Sequence, residues 1–399
     1  KIAYFVPLMS LFRRQSDSCR RVCQYLAAAG LVLFGPGALA ETEIHGPFAD
    51  LIVPVSNDTN TLDILGQRIP PGSAERLSWS ATELFEGVPV STPVLAVNGV
   101  GDGPTLCLTA AVHGDELNGI EIVRRVLHNV EPAKLSGAII GVPIVNVQGF
   151  RRGSRYLPDR RDLNRYFPGN PTGSAAARVA HSFFTEVISH CDALVDLHTG
   201  SLERANLPQI RADLRDPEVL TLTEGFGSMV VLHSPPIDGS LRYAATMVDI
   251  PTVTIEAGGP SQLELAEVQH GVQGIETLLS SLGMLKRKRW WGDPEPVYYR
   301  SSWVRADNGG ILLADVSLGS TVREGQVLAL VIDPMSNARV EVRSPYSGRV
   351  IGMVRNSVVM PGDAAFHIGI QTDEVEAAEA PVEVAQDAES DGYASGVSE

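Results

Sequence analysis

Between residues 105 and 283, short apolar runs alternate with stretches that have the periodicity of amphipathic helices. The apolar runs are TLCLTAAV, GAIIGVPIVN, DALVDL, SMVVLH and IPTVTIEAGG, and the main helical stretches are ELNGIEIVRRVLHNV, SAAARVAHSFFTEVISH and ELAEVQHGVQGIETLLSSLG. Nearly continuous apolar runs are typical of strands that are buried on both faces. The pattern therefore predicts an α/β fold in which helices cover both faces of a sheet.

Two β-rich segments flank this region. Residues 48–100 alternate short apolar stretches with Gly/Pro turns, which favours strands that join the sheet. After KRKRWWGDPEP the helical pattern stops, and residues 297–372 contain short β runs separated by turns. We therefore predict an α/β domain over residues 41–290 and a small all-β domain over residues 297–372.

The two termini differ from the rest of the chain. Arg20–Arg21 precede the apolar run YLAAAGLVLFGPGALA, and the small residues before ETE resemble a signal-peptide cleavage site. Residues 1–40 are therefore predicted to be the targeting segment of an exported, periplasmic protein whose mature chain begins at Glu41; a disordered or helical cytoplasmic extension is the alternative. Residues 373–399 contain nine acidic residues and no basic residue, which predicts a disordered tail.

Charge and cysteine content argue against several classes of protein. The formal charge is −15, whereas a nucleic-acid-binding protein needs a clustered Lys/Arg surface, so we expect no nucleic-acid partner. The cysteines do not form the Cys-x-x-Cys pattern of a zinc or redox site. Cys107 and Cys191 lie in or beside apolar runs and are expected to be buried thiols, with a disulfide as the alternative.

Polar side chains follow three of the predicted strands. His113 comes after TLCLTAAV, His198 after DALVDL, and Glu256 after PTVTI. In open α/β sheets, ligands bind in the crevice beyond the carboxyl ends of the strands. We therefore expect these three side chains to converge on one site.

His113, Glu116 and His198 have the composition of a catalytic zinc site. His113 and Glu116 are three residues apart across a turn that Gly114 permits, and 81 residues separate Glu116 from His198. Two histidines and a carboxylate are a ligand set of catalytic zinc, which keeps a fourth position for water. The pattern predicts one zinc ion per chain. Asp196 is expected either to accept the second ring proton of His198 or to pair with backbone inside its strand.

Glu256 and an arginine-rich loop supply the remaining candidates. A carboxylate near a metal and a leaving group can act as a general base and then as a general acid, and Glu256 in TIEAGG fits this role. The loop GSRYLPDRRDLNRYFPGN is rich in arginine, which makes bidentate contacts with carboxylates. Arg155, Asn164 and Arg165 are therefore candidates for holding an anionic substrate, and a solvated charged loop is the alternative.

Four motifs occur along the chain in a fixed order: HGDE, RYLPDRRDLNRYFPG, DLHTG and TIEAGG. With these motifs the chain resembles the succinylglutamate desuccinylase/aspartoacylase family, which is a branch of the zinc carboxypeptidase-like hydrolases. The resemblance covers roughly residues 45–372 and implies a three-layer α/β/α sandwich with a mostly parallel or mixed central sheet. The resemblance also implies that His113, Glu116 and His198 bind the zinc ion and that Glu256 is the general base. Arg155 would contact the oxyanion, and Asn164 and Arg165 would bind the substrate carboxylate. The segment NLPQIRADL implies Arg211 as a second contact to a carboxylate.

The C-terminal domain resembles the lipoyl/biotinyl-type barrel-sandwich hybrid. No lysine follows Lys288, so the hairpin around DPMSNARVEV cannot carry a lipoyl or biotinyl group. We expect a lid or an assembly surface instead.

The leading hypothesis is a zinc-dependent amidohydrolase that removes the acyl group from an N-acyl amino acid or a related small amide bearing a carboxylate. A zinc carboxypeptidase acting on peptides, such as cell-wall peptides if the protein is exported, is the first alternative. A binding module built on an inactive hydrolase is the second, and the intact set of His113, Glu116, His198 and Glu256 argues against it. These residues do not identify the acyl group or the amine of the substrate. They also leave the oligomeric state open, with a homo-oligomer as one alternative.

Overall fold

A mixed sheet carries most of the chain. The computed structural model describes residues 61–80, 91–286 and 295–371, and the predicted targeting segment and acidic tail lie outside the described residues. Its strands are β1 Leu62–Ile64, β2 Gln67–Ile69, β3 Ser73–Ser80, β4 Ser91–Asn98, β5 Gly101–Ala110, β6 Ser136–Val142, β7 Ala193–His198, β8 Arg204–Ala212, β9 Val230–His233, β10 Thr252–Gly258, β11 Val297–Tyr298, β12 Arg300–Arg305, β13 Gly310–Ala314, β14 Thr321–Val322, β15 Val327–Ile332, β16 Arg339–Arg343, β17 Gly348–Val354, β18 Val358–Val359 and β19 Ala364–Ile370. Its α-helices are α1 Asn118–Asn129, α2 Val147–Arg151, α3 Ala175–Glu186, α4 Pro217–Glu224, α5 Leu241–Thr246 and α6 Leu265–Ser281.

Thirteen of the described strands form one sheet. Its main path is β12-β19-β17-β8-β10-β7-β5-β6-β4-β3, and β9, β11 and β14 attach to this path. The central strands β6, β5, β7 and β10 run parallel, whereas β8 is antiparallel to β10 and β4 is antiparallel to β6. The predicted mixed central sheet is confirmed, and β5, β7 and β10 end at the same edge.

Two apolar clusters hold helices against opposite faces of the sheet. Successive side chains of a strand point to opposite faces. Leu106 and Leu108 of β5 therefore pack with α1, α4 and α6, whereas Cys107 packs in the cluster that includes α3 and α5. The sheet lies between two helical layers, as the alternation of strands and helices predicts.

Cys107 and Cys191 form a disulfide, with their Cα atoms 5.7 Å apart. Both residues are buried, as predicted, but the expectation of two free thiols was wrong. β5 and β7 are parallel neighbours, and Cys107 is in register with Leu194, shortly after Cys191. The pairing depends on this adjacency, which local sequence does not reveal because 84 positions separate the two cysteines.

The described C-terminal residues consist of strands and turns, as predicted. Strands β12, β14, β17 and β19 belong to the large sheet, and β13, β15, β16 and β18 form a second sheet. The two sheets share a core that includes Val304, Leu328 and Phe366. β17 pairs antiparallel with β8, with Gly352 opposite Asn206. This β region is therefore hydrogen-bonded directly to the α/β sheet.

In the part of the chain that the structure describes, none of the helices combines the length and apolar character needed to cross a membrane.

Candidate active site

The ends of three parallel strands and one loop bring the candidate residues together. His198 is the last residue of β7, and Glu256 is paired with it in register on β10. β5 ends at Ala110, and the chain then turns through Ala111, whose φ is 48°, to reach His113. This turn packs closely against helix α2, because a Cβ on Gly114 would lie 2.1 Å from the Gly149 carbonyl carbon.

The candidate ligand atoms of His113, Glu116 and His198 converge. The Nδ1 atom of His113 lies 2.8 Å from Oε1 of Glu116, and the Nδ1 atom of His198 lies 2.9 Å from Oε2. The two Nδ1 atoms are 3.2 Å apart, and all three side chains are at most 5% exposed. Two imidazole nitrogens and a carboxylate that face one point fit the donor set of a catalytic zinc site.

A second carboxylate orients each imidazole ring. His198 Nε2 lies 2.8 Å from Oδ2 of Asp196, whose Oδ1 accepts a hydrogen bond from the Thr109 hydroxyl at 2.6 Å. His113 Nε2 lies 3.1 Å from Oδ1 of Asp162. Such outer carboxylates fix the tautomer of a metal-binding histidine, so that the inner nitrogen offers its lone pair. Of the two roles left open for Asp196, the structure favours the contact with His198. The contact of Asp162 with His113 was not predicted, because the only signal for Asp162 in the sequence was its place in the arginine-rich loop.

The electrostatics of the cluster favour a cation. Burial and Arg155 lower the pKa of His113, but the negative charges of Glu116 and Asp162 outweigh them and raise it to about 9. Burial raises the pKa of Glu116, but the adjacent His113 and His198 lower it to about 2. The carboxylate therefore stays ionised and attracts protons to both rings. Histidine ligands must release such protons to bind a metal. A divalent cation can therefore replace the protons between the carboxylate and the imidazoles.

Arg155 reaches the same centre from the arginine-rich loop. It is 6% exposed, and its Nη1 atom lies 3.2 Å from His113 Nδ1 and 3.6 Å from Glu116 Oε1. Its Nε and Nη2 atoms donate to Oδ2 of Asp162 at 3.2 and 2.8 Å. Burial raises the pKa of Asp162, but His113, Arg155 and Arg165 lower it well below its ordinary range. Asp162 thus links the loop to the cluster of His113, Glu116 and His198.

Asn164 and Arg165 follow Asp162 in the short 3-10 helix Leu163–Arg165. The Asp162 carboxylate caps this turn by accepting the Asn164 backbone N–H at 2.9 Å. Asn164 Oδ1 accepts the backbone N–H of Leu241, the first residue of α5, at 2.8 Å. Arg165 donates to the Asn164 carbonyl oxygen at 2.9 Å. Both residues therefore follow directly after the carboxylate that contacts His113, and Asn164 also ties the loop to α5.

Glu256 is held by side chains of β8. It is 7% exposed, its Oε2 accepts a hydrogen bond from Asn206 Nδ2 at 3.1 Å, and its Oε1 lies 3.6 Å from Arg211 Nε. Arg211 was predicted to contact a substrate carboxylate, and the structure places it beside Glu256. Asn206 had no assigned role, although it opens the segment NLPQIRADL. Its proximity to Glu256 arises from the antiparallel pairing of β8 with β10.

The turn after Glu256 is anchored from two directions. The Asn118 side chain donates to the Ala257 carbonyl oxygen, and Glu264 accepts the Gly259 N–H at 2.8 Å. Glu264 also pairs with Arg355 of the C-terminal β region. Gly258 has a φ of 74°, and a Cβ there would meet both Glu264 and Asn118. The end of the strand that carries Glu256 therefore depends on contacts from α1 and from the C-terminal strands.

A mixed α/β sheet with a buried His/Glu/His cluster beside a carboxylate at its strand ends defines a candidate metallohydrolase. Residues 102–282 match the catalytic-domain profile described as succinylglutamate desuccinylase/aspartoacylase. Residues 102–282 therefore carry the catalytic domain of the succinylglutamate desuccinylase/aspartoacylase family. Members of this family are deacylases that act on N-acyl amino acids.

Individual relatives agree with this assignment. The N-alpha-acetyl-L-2,4-diaminobutyric acid deacetylase of Halomonas elongata is 28% identical over 297 residues, which are 70% of this chain and 83% of the relative. The succinylglutamate desuccinylase of Pseudomonas aeruginosa is 33% identical over 135 residues, 31% of this chain and 38% of that protein.

Solved structures share the fold. The product-bound ectoine utilization protein EutE (DoeB) from Ruegeria pomeroyi is 25% identical with a TM-score of 0.67, and the match covers 76% of this chain and 97% of that one. A succinylglutamate desuccinylase/aspartoacylase from Rhodobacter sphaeroides has the same TM-score of 0.67 at 22% identity, covering 80% of this chain and 98% of that one.

Proposed function

We propose that this chain is a zinc-dependent deacylase that hydrolyses the amide bond of a small N-acyl amino acid. The observation that carries the proposal is the buried donor cluster of His113, Glu116 and His198 beside the carboxylate of Glu256. Zinc held by these three ligands would supply a Lewis acid and would lower the pKa of a water molecule. The relatives that act on N-acyl amino acids support the choice of substrate class.

The side chains around the cluster have distinct tasks in this proposal. Glu256 accepts a proton from water and later returns it to the leaving amine, which is the usual work of a general base and acid. Asn206 and Arg211 hold its carboxylate in place. Arg155, whose guanidinium lies beside His113, stabilises the negative charge that develops on the carbonyl oxygen.

Asn164 and Arg165 are assigned to the carboxylate of the substrate. The planar guanidinium of an arginine can donate two parallel hydrogen bonds to a carboxylate. Asn164 uses its Oδ1 to accept from Leu241, which orients its amide group and leaves Nδ2 as the atom for a substrate oxygen. We assign Arg211 first to Glu256 and only second to a substrate carboxylate, because the Glu256 carboxylate is its nearby partner.

A hydrolysis screen of the purified zinc form tests the proposal. We expect turnover of N-acetyl or N-succinyl amino acids and little turnover of short peptides, with Glu256→Gln as the control for contaminating activity. Preferential cleavage of peptides would instead establish a carboxypeptidase. Ligand binding without hydrolysis of any substrate would establish a binding module.

We also propose that the protein is exported. The disulfide between Cys107 and Cys191 supports this location, because disulfides persist in oxidising compartments. The apolar segment that ends at Ala40 is the proposed signal peptide. N-terminal sequencing of the protein from its native host should find Glu41 as the first residue, and an uncleaved cytoplasmic chain would contradict the proposal.

We also propose that residues 297–372 form a barrel-sandwich hybrid and that the α/β domain spans residues 41–290. Two sheets around a shared core support a barrel-sandwich hybrid. Its hairpin contains no lysine that could be lipoylated or biotinylated.

A further inference from the structure

The Asn118 side chain joins the start of α1 to the turn that follows Glu256. Asn118 is fully buried. Its Nδ2 donates to the Ala257 carbonyl oxygen at 2.9 Å, and its Oδ1 accepts the Glu264 backbone N–H at 2.8 Å. One short side chain therefore holds both ends of the turn formed by residues 257–264.

The pairing of β10 with β8 is irregular at the point where Asn118 binds. The register between the two strands shifts between Glu256 and Gly258. The segment of β8 at this shift contains Pro208, which has no N–H to donate to a neighbouring strand. The Asn118 amide thus supplies a donor to Ala257 where the ladder is interrupted, one residue after the proposed general base.

Two backbone hydrogen bonds tie the same turn to the candidate metal ligands. The Ser261 N–H donates to the carbonyl oxygen of Asp115, the residue before Glu116, at 2.7 Å. The Gly200 N–H, which follows β7, donates to the Gly258 carbonyl oxygen at 2.9 Å. The position of the turn is therefore set relative to the segments that follow β5 and β7.

The start of α1 packs closely against the sheet. A Cβ on Gly119 would lie 2.9 Å from Leu197 Cβ and 3.0 Å from Ala110 Cβ, so glycine permits this approach. The approach brings the Asn118 amide to the turn. A carbonyl oxygen only accepts and a backbone N–H only donates, so the turn requires a side chain that offers one donor and one acceptor, as asparagine does.

Glu264 contributes a second set of contacts at the end of the turn. Its backbone N–H is bonded to Asn118, and its Oε2 accepts the Gly259 N–H at 2.8 Å. Its other carboxylate oxygen pairs with Arg355 of the C-terminal β region. The turn is therefore held from α1 and from the C-terminal strands through one residue.

We propose that Asn118 and Glu264 are positioning residues for Glu256, which fix its place relative to the candidate metal ligands. The proposal rests on the proposed deacylase function, in which Glu256 is the general base. Asn206 and Arg211 contact the Glu256 carboxylate, whereas Asn118 and Glu264 hold the backbone that carries it. A base must lie within hydrogen-bond distance of the proton that it takes, so a displaced backbone slows turnover.

A split between kcat and KM tests this role. Asn118→Leu keeps the approximate volume of the side chain and removes both hydrogen bonds. With the fastest-hydrolysed member of the N-acetyl and N-succinyl amino-acid panel as substrate, we expect kcat to fall roughly 10- to 100-fold and KM to stay within about threefold. Zinc content should not change. Glu264→Ala, at a partly exposed position, should lower kcat in the same way and decides the proposal if Asn118→Leu does not fold.

Combination with Glu256→Gln separates positioning from a general loss of structure. Residues that act as a unit have non-additive effects, so Asn118→Leu should lower the remaining kcat of Glu256→Gln by less than about threefold. A larger further fall would contradict the proposal, because Asn118 would then act independently of Glu256. Loss of zinc from Asn118→Leu, or an unchanged kcat in the folded variant, would also contradict it.

Asn98→Leu is the matched control. Asn98 is a buried asparagine whose Nδ2 donates to the Ile69 carbonyl oxygen at 2.9 Å. It is paired with Ala138 near the beginning of β6, at the end of the sheet opposite the site. Asn98→Leu should lower the Tm, as Asn118→Leu does, and leave kcat unchanged. Equal losses of kcat in the two variants would make the effect of Asn118 a matter of stability alone.

Amide hydrogen exchange measures the turn independently of hydrolysis. Exchange within residues 257–264 should be faster in Asn118→Leu than in the wild type, because the Glu264 N–H loses its acceptor. Exchange there should stay unchanged in Asn98→Leu. Wild-type exchange in Asn118→Leu would overturn the proposal. If the wild type hydrolyses no member of the panel, the deacylase function fails, and exchange alone decides whether Asn118 holds the turn.

Discussion

At the scale of single residues, the site depends on which ring nitrogen each histidine presents. His113 and His198 both direct Nδ1 toward Glu116, and Asp162 and Asp196 contact the opposite nitrogens. A ring fixed in this way loses little freedom when a metal binds.

We predict that His113→Ala and His198→Ala each lose the zinc ion, because each removes one of three protein ligands. Metal analysis after dialysis would measure this, with His128→Ala on the exposed side of α1 as the control that keeps zinc. Stoichiometric zinc in both ligand variants would rule out the proposed metal site.

Glu256→Gln should act on turnover and leave the metal in place. Glutamine can still accept the hydrogen bond from Asn206, but it cannot take a proton from water. We expect zinc content to stay the same while kcat falls by roughly 10²–10⁴-fold, the range for a general acid–base group. A kcat within a few fold of wild type would exclude this role.

Arg165→Lys tests the carboxylate contact. Lysine keeps the charge but loses the planar fork. The loss of a charge-assisted hydrogen bond should lower kcat/KM by roughly ten- to a hundredfold for a substrate with a free carboxylate. The matching methyl ester should show little change, and Arg161→Lys, an exposed residue paired with Asp159, is the control. Equal losses on acid and ester would make Arg165 structural.

At the scale of secondary-structure elements, adjacency of β5 and β7 brings the site together and also creates the disulfide. β5 leads to His113, β7 ends in His198, and Cys107 on β5 is bonded to Cys191 just before β7. The crosslink therefore constrains the two strands that lead to the proposed metal ligands.

Reducing this disulfide should lower the free energy of unfolding. A crosslink that closes a loop of 84 residues restricts the unfolded chain, with an expected contribution of about 4.5 kcal/mol. Denaturant unfolding with and without reductant measures the difference. The double variant Cys107→Ala/Cys191→Ala should be unaffected by reductant, and an unchanged wild-type midpoint would contradict the prediction.

At the scale of the whole molecule, the C-terminal strands extend the sheet that carries the site. β17 pairs with β8 through Gly352, Met353 and Val354. The Arg355 backbone N–H donates to the Glu203 carbonyl oxygen, and its side chain pairs with Glu264. Disturbing the C-terminal core should therefore disturb the strands that hold Glu256.

Phe366→Ala tests this coupling. Phe366 is fully buried in the C-terminal core, and such truncations cost about 3–5 kcal/mol. We expect calorimetry and thermal inactivation of hydrolysis to shift together to lower temperature. If calorimetry shows only a C-terminal transition at lower temperature, while catalytic activity is still lost at the wild-type temperature, then the C-terminal β region and the α/β region unfold independently.

The sequence predicted the central strands and long helices because their apolar periodicity is local. It did not predict β8, because Asn206, Gln209 and Arg211 place polar side chains on the face that borders the site. Pro208 further weakened the strand pattern. The short helices α4 and α5 were also missed, since each spans at most eight residues and offers few periods to detect.

The sequence by itself determined the α/β class, the positions of the central strands and the candidate set of His113, Glu116, His198 and Glu256. These depend on residue type and on spacing over short stretches. Tertiary structure alone decided the disulfide, the contact of Asp162 with His113, and the approach of β17 to β8. Each of these joins segments that lie far apart along the chain, and their proximity follows from how the strands pair and how the loops pack, which leave no local pattern in the sequence.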